Sequence, residues 1–102
     1  MQLSRIRIGN LYGYKNEKDE IVISPQFIDA QASFTNGYAI VQIDNYCGII
    51  EETGKFLLDC QYEEICPIKN GLFIVRVKKE QYDWAVGVID INKKSLSILI
   101  TR

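Results

Sequence analysis

The sequence contains an internal repeat with a period near 35 residues, and a repeat constrains the fold more than any other sequence feature. Placing Gly13 on Gly48, an offset of 35, aligns the fifteen residues that begin at each glycine without a gap. After a one-residue shift the segments 36–43 and 70–77 also coincide, and each begins with Asn-Gly. Because one repeat of this size cannot bury its own apolar face, the copies must pack on one another or on a partner.

Partial copies flank the two full ones. Residues 8–13 align with residues 43–48, so the first strand is the tail of a truncated copy. Gly87 opens a third copy 39 residues after Gly48, and the excess lies in residues 78–85. We therefore predict a single repeat domain over residues 1–102, with copies at about 1–12 (partial), 13–47, 48–86 and 87–102 (partial).

Each copy is predicted to form three β-strands. The last strand alternates apolar and polar residues, as in Ala39 to Ile43, which is typical of a half-buried strand. The first two strands form a hairpin whose turn holds Gly54 in the second copy, with Asp19 and Lys93 in its place in the others. Between hairpin and last strand, residues 61–66 could form a single helical turn.

The resulting fold prediction is an all-β domain of about eight short antiparallel strands. The repeated hairpins either stack into a short β-solenoid or curl into a partial barrel. The truncated end copies must be capped, closed on each other or covered by a second molecule. Association of two copies of the chain through exposed strand edges is therefore an expectation.

The pattern resembles the WG repeat, also called the KWG repeat, a bacterial unit of similar length. The second copy carries the motif from Gly48 to Glu51, the turn Thr53-Gly54-Lys55, an apolar strand and the aromatic-acid pair Tyr62-Glu63. The first copy carries Tyr12-Gly13 and the strand 37–41. The resemblance implies a repeat-based β architecture with interaction roles and no agreed catalytic activity, and it transfers no functional residues.

Composition argues against several classes of function. The net charge of −1 provides no field that would attract polyanions, which makes nucleic acid an unlikely partner. Histidine is absent, which removes the commonest catalytic base and metal ligand. The three cysteines lack the spacing of a zinc site, and no phosphate-binding or dinucleotide motif is present. The sequence therefore implies no metal and no cofactor.

The location expected from the sequence is the cytoplasm. Arg5 and Arg7 interrupt the apolar residues near Met1, which is unlike a signal peptide. No apolar run approaches the ~18 residues of a membrane span. An odd number of cysteines also fits a reducing compartment, and all three are predicted to be small apolar residues of the interior. These three residues are Cys47, Cys60 and Cys66.

The acidic residues are predicted to be structural. Adjacent carboxylates in a strand point to opposite faces, so the pairs at 51–52 and 63–64 cannot easily share a proton or a cation. Asp29 and Glu64 occupy matching positions of two copies, where a side chain that anchors the backbone is the simpler interpretation.

The best candidate for a binding site is the insertion that breaks the repeat. A loop with long and aromatic side chains on a rigid sheet is a common recognition element. We predict a contact patch made by Tyr82 and Trp84 together with Lys78 and Lys79. Four further tyrosines could extend it if they emerge on the same side, although aromatic residues of small β domains are more often core; they are Tyr12, Tyr14, Tyr38 and Tyr46. The leading functional hypothesis is a non-catalytic protein-binding module, for which an inhibitor or immunity-type partner is one candidate form.

Two alternatives stay open. The insertion could join Arg5, Arg7 and the lysines at 93–94 in a basic aromatic surface that stacks single-stranded nucleic acid. An enzyme that uses lysine and carboxylates would need a concave pocket in which acids converge.

Overall fold

Eleven β-strands and no helix make up the part of the chain that the computed structural model describes, which is residues 2–69, 71–78, 84–91 and 95–101. Within those ranges there is accordingly no helix able to traverse a lipid bilayer. The strands are β1 Ser4–Ile8, β2 Leu11–Lys15, β3 Ile21–Phe27, β4 Asp29–Ala30, β5 Tyr38–Ile43, β6 Tyr46–Glu51, β7 Phe56–Tyr62, β8 Glu64–Lys69, β9 Leu72–Lys78, β10 Trp84–Asp90 and β11 Ser95–Thr101.

The strands form three antiparallel sheets. The first has the order β1-β2-β3, the second β4-β5-β6-β7 and the third β11-β10-β9-β8. These orders are linear, so the described strands form open sheets and no closed barrel. The all-β prediction is confirmed.

The chain divides into two compact units, Met1–Cys60 and Gln61–Arg102. The first unit contains the first sheet and all of the second sheet except the last two residues of β7, and the second unit contains the third sheet. The single domain over residues 1–102 stays a prediction.

The three aligned glycines occupy the same place in their sheets. Each lies on the second strand of a hairpin and faces a residue of the preceding strand that the repeat also aligns. The pairs are Gly13 with Ile6, Gly48 with Val41 and Gly87 with Val75. The repeat in the sequence is therefore a repeat of strand pairing.

The hairpin turns of the first two copies also share their backbone hydrogen bonds. The N–H of Asn16 donates to the carbonyl of Glu20, as that of Glu51 donates to Lys55, at 2.9 Å in both turns. Gly54 has a φ of +91°, and Asp19 at the matching position has a φ of +63°. The predicted positive φ at both residues is confirmed, while Lys93 lies outside the described residues.

Substitutions at Gly54 test this turn. Gly54→Ala should lower the free energy of unfolding by about 1 to 2 kcal/mol, because an L residue is strained at this φ although the space around it is open enough for a Cβ. Gly54→Asn should cost about half as much, since Asn tolerates left-handed φ better. Urea denaturation measures both, and an equal loss for the two variants would contradict the turn assignment.

The last strands of the copies alternate as predicted. Ala39 and Val41 of β5 are buried, as are Phe73 and Val75 of β9. Ile8 of β1, which the repeat aligns with Ile43, is 56% exposed, because it lies at the end of the outermost strand of the first sheet.

The helical turn expected over residues 61–66 is wrong. These residues end β7 and begin β8, and Pro67 lies within β8 opposite Phe73. Proline is tolerated there because β8 is an edge strand of the third sheet. The matching segment of the first copy forms the short β4. With β4 and β8 among them, the described residues form eleven strands where about eight were predicted.

Two aromatic pairs contribute to the interior of the first unit. The ring of Tyr14 meets that of Phe34 edge to face at a centroid distance of 4.8 Å, and Phe27 meets Phe56 at 6.4 Å. The buried cluster around them consists of Leu3, Tyr14, Ile23, Phe27, Ala30, Ala39, Val41 and Ile50. In the second unit, the buried apolar side chains among those that the structure describes are Tyr62, Ile65, Phe73, Val75 and Ile89.

Candidate binding surfaces

The β9–β10 hairpin is longer than its two counterparts. Val77 faces Ala85 at the position where Ile43 faces Tyr46 in the β5–β6 hairpin. The latter closes with two residues, 44 and 45, and the β1–β2 hairpin closes in the same way at 9 and 10. In the β9–β10 hairpin the insertion adds one further strand pair and a five-residue connection at 79–83.

The predicted contact patch lies at this extended end. Lys78 is the last residue of β9 and pairs with Trp84, the first residue of β10. The structure describes only the backbone of these two residues, and Lys79 and Tyr82 lie outside the described residues. The lysines at 93–94, predicted to join a basic surface, also lie outside them.

A cation-aromatic cluster lies on the β1–β2 hairpin instead. The guanidinium carbons of Arg5 and Arg7 lie 4.7 Å and 5.9 Å from the ring centroid of Tyr12. Arg5 Nη1 also donates a hydrogen bond of 2.7 Å to the carbonyl of Ala30, and Arg7 Nε donates one of 3.0 Å to the carbonyl of Gly9. We call Arg5, Arg7 and Tyr12 the Arg–Tyr surface.

The sequence interpretation named these residues separately and missed their assembly. The signal was present, because a two-residue turn at 9–10 places Arg7 opposite Tyr12 and Arg5 opposite Tyr14. Residues directly opposite each other in an antiparallel pair point to the same face.

The tyrosines that were considered as an extension of the contact patch divide between core and surface. Tyr14 is fully buried and donates a hydrogen bond of 2.7 Å to the carbonyl of Gln31. Burial above all raises the pKa of Tyr14 to about 12, with Arg5 opposing the shift and Asp29 adding to it. Tyr38 is also buried, whereas Tyr46 is 43% exposed at the start of β6.

One face of the third sheet carries an ion pair beside exposed apolar residues. Arg76 and Glu64 pair across β8 and β9 at 3.1 Å, and both are about half exposed. Cys66 faces Ile74, which is 41% exposed. An ion pair as exposed as this one contributes ~1 kcal/mol or less to the stability of the fold.

The interior location predicted for the cysteines is wrong for Cys66, which is exposed because it shares the outer face of an edge strand with Glu64. Cys47 and Cys60 are half-buried. Burial raises the pKa of the Cys60 thiol, and partial burial together with the Glu64 carboxylate raises that of Cys66. Both shifts reduce the thiolate fraction at neutral pH and with it the reactivity.

The matched acids differ in their contacts. Asp29 accepts a hydrogen bond of 2.9 Å from the backbone N–H of Ala30, which agrees with the predicted anchoring role. Glu64 pairs with Arg76 instead.

A shallow depression at the β2–β3 turn is lined by Asn16, Glu17, Lys18 and Glu20. Asn16 holds this turn together, since its side chain accepts from the N–H groups of Lys18 and Glu20 and donates to the Glu20 carboxylate. Within the described ranges, no group of three potential ligands could hold a metal ion.

The model of the WG containing repeat matches the chain twice in succession, at residues 12–47 and 48–80. The two matches cover more than half of the chain. The chain belongs to the WG repeat family. The border between the two matched WG repeats falls between Cys47 and Gly48, within β6. No curated protein and no solved structure matches the chain.

Proposed function

We propose that this WG repeat chain is a non-catalytic protein-binding module whose contact surface lies at the extended end of the β9–β10 hairpin. The observation that carries the proposal is the difference between copies. Two hairpins of the same register close with two residues, and the third adds a strand pair and a five-residue connection that the sheet does not require. Additions to a repeated scaffold concentrate on loops that bind.

The residue types of the insertion support a protein partner. Tyr82 and Trp84 are the aromatic types most enriched at energetically dominant interface positions. Lys78 and Lys79 are followed by the acidic residues Glu80 and Asp83, a mixture that suits a partner of mixed charge better than a polyanion. We also propose a cytoplasmic location, because Cys60 and Cys66 carry free thiols that a reducing compartment preserves.

A loop-shortened variant tests the proposal. In it, residues 78–84 are replaced by Asp-Asn, the pair that closes the β5–β6 hairpin at 44–45. We expect the immobilised wild-type chain to capture a stoichiometric protein from a lysate of its native host, and the loop-shortened variant to lose it. The double variant Tyr82→Ala, Trp84→Ala should show the same loss without a change in loop length.

The control is the thermal unfolding of each variant by circular dichroism, which should show a folded chain, since the shortened turn already exists in the second sheet. Capture of the same protein by the loop-shortened variant would contradict the proposed surface. Recovery of single-stranded nucleic acid in place of protein, with binding that falls as salt rises, would support the alternative function.

A further inference from the structure

The outer edge of β1 differs from the matching edges of the other two sheets. In the repeat alignment β1, β5 and β9 are equivalent strands. Strands β5 and β9 are interior, because β4 and β8 pair with their outer edges. β1 is an edge strand, and the backbone pairing of its outer edge with other described residues is at its first half, where Ser4 bridges to Ser33 and the N–H of Arg5 donates to the carbonyl of Ala32.

The backbone of Arg7 points toward this open edge. The outward hydrogen bond of Arg5 fixes the orientation of β1, and alternation then directs the N–H and C=O of Arg7 to the same side. The residues that match Arg7 are Gln42 and Arg76, and the carbonyl of each accepts a backbone hydrogen bond from the neighbouring segment. Ile28 donates to Gln42 at 2.9 Å, and Glu63 donates to Arg76 at 2.8 Å.

The two segments that cover the equivalent edges share a pattern. Each has a buried aromatic residue, then the residue that donates, then an acid opposite the matched position. The segments are Phe27-Ile28-Asp29 and Tyr62-Glu63-Glu64. In the second of them the acid forms the ion pair of Glu64 with Arg76.

The guanidinium of Arg7 is available to pair with such an acid. Its side chain is exposed, and no described carboxylate lies within ion-pair distance of Arg7 or Arg5. Both stack on Tyr12, which holds two positive charges on one face of the hairpin. The distance between alternate residues of a strand, about 6.5 to 7 Å, suits the spacing of side chains on a second strand.

We propose that the open edge of β1 binds an extended segment of a protein partner with the pattern aromatic, any residue, acid, and so completes the first sheet as β4 and β8 complete the others. The donating N–H pairs with the carbonyl of Arg7, and the carboxylate pairs with its guanidinium. Strand addition of this kind gives affinity through main-chain hydrogen bonds and specificity through alternate side chains. This surface is made by other residues than those of the β9–β10 hairpin.

The test uses a fluorescent peptide with the sequence of residues 59–67 and both cysteines replaced by serine, titrated against the full chain at low salt. Wild type should bind it, and Arg7→Glu should weaken binding by about tenfold or more. The peptide that carries Glu64→Lys should bind the Arg7→Glu chain more tightly than it binds the wild-type chain. Lys18→Glu, the same charge change on the β2–β3 turn, should leave binding unchanged.

Two peptides methylated on the backbone separate strand pairing from simple attraction of charge. Methylation of the Glu63 nitrogen removes the donor to Arg7 and should abolish binding. Methylation of the Ile65 nitrogen should not, because Glu64 faces the matched arginine in the template pair and alternation turns the N–H of Ile65 away from the paired strand. The proposal is overturned if wild type does not bind the parent peptide at millimolar concentration, if Arg7→Glu binds it equally well, or if the two methylated peptides behave alike. The loop-shortened variant should bind the peptide as wild type does, so failure of this proposal and failure of the proposed function are distinguishable.

Discussion

Gly48→Ala is expected to lower the free energy of unfolding by about 3 kcal/mol or more, a large share of the stability of a small domain. A Cβ at this position would lie 2.5 Å from the carbonyl oxygen of Leu58 and 2.9 Å from the backbone nitrogen of Cys60. Both atoms belong to the backbone of β7, so the strand itself would have to move. Urea denaturation measures the loss, and we expect the dependence of the unfolding free energy on urea concentration to be unchanged.

Gly54→Ala serves as the matched control, because it also adds one methyl to a glycine of the same unit but meets only the side chain of Ile23 at 3.5 Å. The expected cost there is about 1 to 2 kcal/mol, from backbone strain alone. A larger loss for Gly54→Ala than for Gly48→Ala would show that the close approach of β6 and β7 is not what demands glycine. Gly13→Ala should behave like Gly48→Ala, since its Cβ would meet the backbone of Ile23, Ser24 and Pro25.

Alkaline pH should destabilise the first unit through Tyr14. The folded chain has a pKa of about 12 for this phenol against 10.0 for the ordinary group, because burial disfavours the phenolate. A pKa raised by folding contributes stability in full below pH 10, and this contribution is lost as pH rises from 10 through 12. The expected loss is about 2 to 3 kcal/mol once the pH exceeds the folded pKa.

Tyr14→Phe isolates this effect. The variant should be less stable at neutral pH by about 1 kcal/mol, because the hydrogen bond to the Gln31 carbonyl is lost. Its unfolding free energy should then fall less steeply than that of wild type between pH 10 and 12, since groups common to both chains cancel in the difference. Parallel curves for the two proteins over this range would mean that Tyr14 ionises as freely in the folded chain as in the unfolded one.

Much of the fold followed from the repeat because each signal was local. The alternation from Ala39 to Ile43 and the turn at Gly54 depend on residues close in sequence, and both were confirmed. The strand at residues 64–69 could not be read in the same way. Pro67 and the mixed character of its neighbours disfavour a strand locally, and only pairing with β9 makes it one.

The binding surfaces were less predictable than the fold. The insertion stood out because it broke the period. The sequence could not show that it would lengthen the β9–β10 hairpin by one residue pair, Lys78 with Trp84. The exposed edge of β1 depends on which strands pair, since the same alternation occurs in β5 and β9. Which strand has an unpaired edge is known only once the neighbours of each strand in its sheet are known.

The sheets and the sequence repeats are out of phase, because the second sheet takes β4 and β5 from one WG repeat and β6 and β7 largely from the next. Gly13 faces Ile6 just as Gly48 faces Val41. Excision of one whole period would therefore bring β6 beside β1, with Gly48 opposite Ile6. The new strand pair would have the same glycine-to-apolar pairing as the existing pairs. Loss or gain of a whole repeat would therefore require no new type of strand interface.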